Sequence, residues 1–433
     1  MMSTITGKKL LVLGGAYQHR KIVMAAKNLG VKTFVTDYLD IQDSPAKQMA
    51  DVPLNCNIFD VDGLVQICRQ YHIDGAIGPY LDVSQMPYQE VCERMGFHCF
   101  GSREQHEILT DKTLFKDFCT KHGADIIPSY SEQEILAGDS RIEWPVLIKP
   151  SDSRGSRGQS ICFSRDEALS GIESARAESR SGSVIIEKYM GSENDIQLAY
   201  LVVDGEPLLL KVEDRYTGKT GSGLENLCIA TITPSRHEGV FMQSADAKIR
   251  NMIKALNLKN APVFIQAFMD GDKGRLYDPG LRMPGDDYDC GYMAVTGVSL
   301  PEMFVRFALT GSFYADDEPH RKITPCREKF IAMFLPCLKP GKIARLNGLD
   351  EVSAMPEIAA FTVSYKAGDA VGNFHDVRQR FGEFVAVSDD AKSLKKCAEI
   401  LYTTLEVISD SGEDMLTAEF DVTELEKYIR EAK

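Results

Sequence analysis

The chain has 433 residues, with 49 lysines and arginines against 63 aspartates and glutamates, a net charge of −14. At ~150 residues per domain the length suggests about three domains. No basic run offsets the acidity, which disfavours nucleic acid and anionic membrane as partners. Eleven cysteines, an odd number without a Cys-x-x-Cys pair, argue against a disulfide framework or a zinc knot and fit a reducing compartment. Met1 to Lys9 is too short and polar for a signal peptide, and every apolar run falls below the ~18 residues of a spanning helix. A soluble cytoplasmic protein is expected.

The first ~110 residues alternate strand and helix in the rhythm of βαβ units. Strands are expected at Lys9 to Leu13, Val31 to Thr36 and Gly75 to Ile77. Helices are expected at His19 to Leu29, Val61 to Tyr71 and Met86 to Met95. Such an order builds a parallel sheet with ligands at the carboxyl ends of its strands. Gly14, Gly15, Tyr17, Tyr80 and Asp82 stand at such ends, as substrate contacts or as ordinary turn residues. Leu13-Gly14-Gly15-Ala16 lacks dinucleotide-fingerprint spacing, and no Gly-x-x-x-x-Gly-Lys-Ser/Thr occurs, so a nicotinamide cofactor is disfavoured.

Asp111 is placed to cap an amphipathic helix that opens with Lys112. The run Trp144 to Pro150 then reads as a buried strand ending on Lys149. The turn that follows holds Ser153, Gly155, Ser156, Gly158 and Gln159. Glycines free the backbone there, so successive N–H groups can converge on phosphate oxygens. At ~4 Å and an effective dielectric of ~20, an ammonium against one unit of phosphate charge is worth roughly 4 kcal/mol before desolvation. A second apolar strand from Ser183 ends in Glu187-Lys188-Tyr189-Met190, and Glu193 follows.

Lysine, then lysine with a glycine loop, then a strand-end glutamate, in this order, resembles the ATP-grasp superfamily. The resemblance runs through most of the chain. It implies that Lys112 and Lys149 contact the phosphates of ATP and that the loop from Ser151 to Ser160 closes as a lid. It also implies that Glu187 to Met190 form the hinge that reads adenine, and that Glu193 takes the ribose hydroxyls. The implied fold is α/β (α+β) in three parts. A parallel α/β domain spans 1–110, a two-lobed ATP-grasp domain spans 111–310 with its lid lobe at about 126–190, and a β-rich domain with helices spans 311–433.

The implied metal is Mg2+, with Mn2+ as the alternative ion. It would sit on two adjacent antiparallel strands, where Gln266 and Asp278 come side by side. Magnesium takes hard oxygens at about 2.0–2.1 Å, usually two protein groups plus phosphate and water. The family's second strand ends in Glu-x-Asn-x-Arg, whereas this chain reads Asp278-Pro-Gly280-Leu-Arg282. Asp278 is shorter than glutamate by one bond, about 1.5 Å, and Gly280 brings no oxygen. Arg282 stays in register, as a guanidinium suited to charge on a transferring phosphoryl group. Asp286, Asp287 and Asp289 follow in a Gly- and Pro-rich loop, read as a rebuilt metal site or as a solvated acidic loop.

Arg215, at the end of a strand, and His237, at a helix start, are further substrate candidates. That helix is expected to run from Pro234 to about Leu256. Beyond Glu328 short strands alternate with turns. A helix from Ala391 to Ile408 and a charged one from Val422 to Ala432 complete the chain. No biotin-attachment segment or internal repeat is seen. The resemblance implies an ATP-dependent carboxylate–amine ligase acting on small molecules, amino acids among them, with a homodimer as an open assembly. An ATP-binding regulatory protein with weakened catalysis and a bicarbonate-dependent carboxylase are the alternatives.

Overall fold

The computed structural model describes residues 5–150, 158–179, 181–218, 227–315, 323–374, 376–417 and 420–431. At the N-terminus four parallel strands lie in the order Val52–Asn55, Lys32–Asp37, Lys9–Leu13, Gly75–Ile77. Leu10 to Leu13 are fully buried, the signature of a parallel strand covered on both faces. Helix Val61–Tyr71 shows how the crossovers are specified. Asp60 caps it by accepting from the Gly63 N–H, and Leu64, Val65 and Cys68 form its buried stripe. Helix Leu300–Thr310 comes from far along the chain to pack here. Any side chain on Gly75 would stand 2.2 Å from the Ala308 carbonyl oxygen.

A four-stranded antiparallel sheet forms a small lobe, in the order Ser129–Tyr130, Val184–Lys188, Val146–Pro150, Ser160–Cys162. It has its own core, in which Val146, Ile148 and Ile186 meet Ile135, Ala168, Ile172 and Ala175 from two covering helices. Period-two alternation along Val146–Pro150 buries Val146, Ile148 and Pro150 and leaves Leu147 and Lys149 on the other face.

Eight strands form the large sheet, ordered Lys273–Gly280, Ala261–Asp270, Asp195–Val203, Glu206–Thr217, Cys228–Thr233, Phe330–Phe334, Gly382–Ser388, Ile358–Val363. Three of the strands beyond Glu328 therefore extend this sheet, Phe330–Phe334 pairing with Cys228–Thr233, whereas Gly341–Asn347 pairs apart from it with Ala370–Val371 and Glu406–Ser409.

Two expected helices are corrected. The one from Pro234 to Leu256 is broken at Ala245 into Glu238–Ser244 and Asp246–Ala255. The one from Ala391 ends at Thr404, since Leu405 is extended and β-branched Val407 and Ile408 form strand Glu406–Ser409 beside Gly341–Asn347. The last helix starts as a 3-10 turn at Val422–Leu425 and becomes α-helical only at Glu426–Glu431. Among the described residues no helix is long and apolar enough to cross a membrane.

Candidate active site

Between the small lobe and the large sheet lies a cleft of about 1130 Å³. Helix Lys112–Lys121 contributes Lys112 and Lys116, the small lobe Leu147, Lys149, Ile186 and Glu187, and the large sheet Asp195, Arg215, Gln266, Tyr277 and Asp278. Asp111 caps the helix by accepting from Thr113 N at 2.8 Å and Leu114 N at 3.0 Å, which fixes where both lysines emerge.

Glu187 is the hub. The Lys149 ammonium donates to one carboxylate oxygen at 2.8 Å, and Lys116 bonds the other while also reaching Ser129 Oγ at 3.2 Å. Burial pushes the Glu187 carboxyl up, but Lys149 and Lys116 outweigh it and hold the group below its ordinary range. The arrangement concentrates cations in the cleft while one buried carboxylate holds them in place.

Along the hinge, Lys188 donates its N–H to Pro128 O at 2.9 Å, and its ammonium bonds Glu143 at 2.8 Å and Asp270 at 2.7 Å. Tyr189 N–H donates to Pro145 O at 2.8 Å. The N–H of Met190, which lines the cleft, has no partner among the described residues. Glu193 is exposed and off the cleft wall, with its carbonyl accepting from Arg236. Asp195, two residues on, lines the cleft, bonded by Arg215 at 2.6 Å and Tyr277 at 3.0 Å. Burial raises its carboxyl, against the pull of Arg215. Ser153, Gly155, Ser156 and most of the expected lid lie outside the described residues. Gly158 sits at φ +70°, with Glu178 and Pro150 carbons 2.9 Å from where a side chain would begin, and Gln159 lines the cleft.

Gln266 and Asp278 are direct cross-strand partners. Gln266 Nε2 donates to Gln197 Oε1 at 3.3 Å, which directs its own Oε1 away from that bond. Lys112 Nζ stands 2.8 Å from Asp278 Oδ1, a cation on the carboxylate where a metal is expected. The donor set therefore fits a hard divalent ion. Arg282 is 8 % exposed, lies off the cleft wall and lies 4.7 Å over the Phe264 ring. Its Nη2 donates to Asp82 at 2.9 Å and its Nε to the other Asp82 oxygen.

Most of the N-terminal candidates gather in a second, acidic cluster. Gly14 and Gly15 form the turn, with the Gly15 N–H donating to Asp37 at 2.8 Å. Tyr80 donates to Asp289 at 3.1 Å, and Tyr17 meets the Thr362 hydroxyl. The reading of a solvated acidic loop is corrected. Asp287 and Asp289 are 5 % and 6 % exposed because Lys21 bonds them at 3.1 and 2.8 Å. Nearby, buried Lys211 pairs with Glu213, whose carboxyl is pushed up to about 7 by burial despite Lys211. His237 lies outside both groups, before helix Glu238–Ser244 and bonded through its N–H to Ser235.

Sequence reasoning gave no role to Lys116, Asp195 or Tyr277. The signal for Lys116 was available, since a residue four beyond Lys112 shares its helix face. Asp195 and Tyr277 had none, because only strand pairing brings them together.

Residues 111–214 match the carbamoyl-phosphate synthase L chain ATP-binding domain, and residues 333–409 match the L-amino acid ligase C-terminal domain 2. The formate-dependent phosphoribosylglycinamide formyltransferase of Prochlorococcus marinus is 24% identical over 197 residues, 44% of this chain and 50% of the relative. The chain thus spans about half the length of that relative. With its Synechococcus counterpart the match is 24% over 400 residues, 84% of this chain and 99% of the relative. The phosphoribosylglycinamide synthetase structure from Anaerococcus prevotii superimposes with TM-score 0.77 at 16% identity, covering 93% of this chain and 100% of that one. The L-amino acid ligase structure from Bacillus licheniformis gives 0.73 at 15%, covering 94% and 100%. These findings show that the chain shares the fold of ATP-grasp ligases and is similar to them in its ATP-binding segment. Residues 333–409 are similar to the C-terminal domain 2 of L-amino acid ligases.

Proposed function

We propose that this chain is an ATP-dependent ligase that activates a small-molecule carboxylate as an acyl phosphate and joins it to an amine, with amino acids as the substrate class. The observation that carries the reading is the gathering, in one cleft, of Lys112, Lys116 and Lys149 with the Gln266 and Asp278 pair. Lys149 and Lys112 hold the phosphates, the backbone of Glu187 to Met190 reads adenine, and Asp195 or Glu193 meets the ribose. Gln266 and Asp278 would hold Mg2+, which supplies neutralisation of charge on the transferring phosphoryl group. Protein catalysis of this transfer is mainly positioning and charge stabilisation. Arg282, off the cleft wall and held by Asp82, is assigned charge stabilisation.

Residues 1–110 supply the acceptor side, 111–310 the nucleotide cleft and 311–433 its cover. The likeness of residues 333–409 to an amino-acid ligase domain supports amino acids as substrates. Gly280, which brings no oxygen, supports a second reading, an ATP-binding regulatory protein. ADP release from magnesium-ATP against a panel of amino acids and carboxylates tests both. Release stimulated by a carboxylate and amine together is the expected result. ATP binding without stimulation by any acceptor overturns the ligase reading in favour of regulation, and stimulation by bicarbonate alone overturns it in favour of a carboxylase.

A further inference from the structure

We propose that Asp82, from the N-terminal domain, supplies the metal-facing oxygen that Gly280 lacks; this rests on the ligase reading above. Residues i and i+2 of a strand share a face, so Gly280 points where Asp278 points. Their partners Phe264 and Gln266 keep the same step. The space a side chain at 280 would enter is already occupied. A Cβ there would lie 2.9 Å from Arg282 Cγ, 3.1 Å from Arg282 Nε and 3.4 Å from Asp82 Oδ1. An asparagine carries its own oxygen about 2.4 Å from its Cβ, from ordinary bond lengths. An Asp82 carboxylate oxygen therefore stands about an ångström beyond that radius.

The fold explains why this aspartate is there. It is the first residue of helix Asp82–Met95, where negative charge is favoured. Arg282 folds back over Gly280 and grips the carboxylate through two nitrogens, which orients it. Glycine at 280 is what makes the arrangement possible, because any larger residue would displace the guanidinium. The oxygen is thus moved from the strand to a neighbouring domain. Its side chain remains 58% exposed, so solvent and ligand can reach it.

The test is Mn2+ binding to the full chain with ADP, read by electron paramagnetic resonance, beside ADP affinity without metal. Asp82→Asn keeps an acceptor for Arg282 but removes the charge. Loss of Mn2+ affinity by at least about tenfold, the lower end of what partners around a metal site give, with metal-free ADP affinity unchanged, is expected. Asp278→Asn should lose as much or more. Arg282→Ala should keep Mn2+ affinity or tighten it, because the carboxylate is released. Wild-type Mn2+ affinity in Asp82→Asn, with loss in Asp278→Asn, overturns the proposal and leaves the ligase reading standing. Equal loss in Arg282→Ala also overturns it, since Asp82 would then act only through the arginine. No loss even in Asp278→Asn removes the metal site, and with it the ligase reading.

Discussion

The Lys149 ammonium lies 2.8 Å from the Glu187 carboxylate, which it shares with Lys116. Lys149, Lys116 and Lys112 are therefore all held before any nucleotide arrives, the first two on Glu187 and the last on Asp278. Lys149→Ala should weaken ATP binding at least 10-fold, a fraction of the roughly 4 kcal/mol available to an ammonium at phosphate distance. Glu187 keeps Lys116, so the fold should survive. Isothermal titration with a non-hydrolysable ATP analogue checks this, and unchanged affinity would contradict the phosphate role.

Asp278→Ala separates binding from chemistry. Removing the carboxylate frees Lys112 from its 2.8 Å pair and should leave nucleotide affinity within a few-fold of wild type. Turnover should fall on the order of 10²-fold or more, the cost of misplacing a reacting centre by about 1 Å. ADP release under saturating magnesium-ATP and acceptor reads the effect.

The parts of this site that were legible in the sequence are local. Lys149 was readable because alternation within one short strand fixes its face, and Asp111 because a cap is set by its next three residues. Gln266 opposite Asp278 was readable only in part, because the tight turn sets a register that would oppose Gln266 to Tyr277, and a bulge after Gln266 moves it onto Asp278. Arg282 on Asp82 was not, being a contact across 200 positions that no periodicity encodes. The same limit hid the extension of the large sheet by Phe330–Phe334 and the burial of Asp287 and Asp289 by Lys21. One helix end failed where the expected helix was carried on to Ile408, through β-branched Val407 and Ile408, which form a strand.

Gly14 tests the N-terminal turn. It holds φ +111°, and a Cβ would stand 2.7 Å from Cε1 of His19. That ring is fully buried and kept neutral, its pKa lowered to about 4 by burial. Gly14→Ala combines backbone strain with overpacking, for roughly 2–4 kcal/mol of destabilisation. A thermal midpoint equal to that of wild type would show that the turn relaxes freely.

Glu383 should make stability fall as pH rises. Burial, then Asp287, pushes its carboxyl from 4.5 to about 7, with Arg380 opposing from 3.5 Å. Between those two pH values the folded chain holds a proton that the unfolded chain has released. Stability from this group is therefore present below about pH 4.5 and is lost progressively as pH rises through about 7. Glu383→Gln removes the titration and leaves Arg380 its bond to Cys228 O at 2.9 Å. The variant should match wild type near pH 4.5 and exceed it by roughly 3 kcal/mol or slightly more at pH 8. Thermal midpoints across that range measure the difference. A gap that stays constant with pH would mean that Glu383 is charged throughout and that Arg380 outweighs its burial.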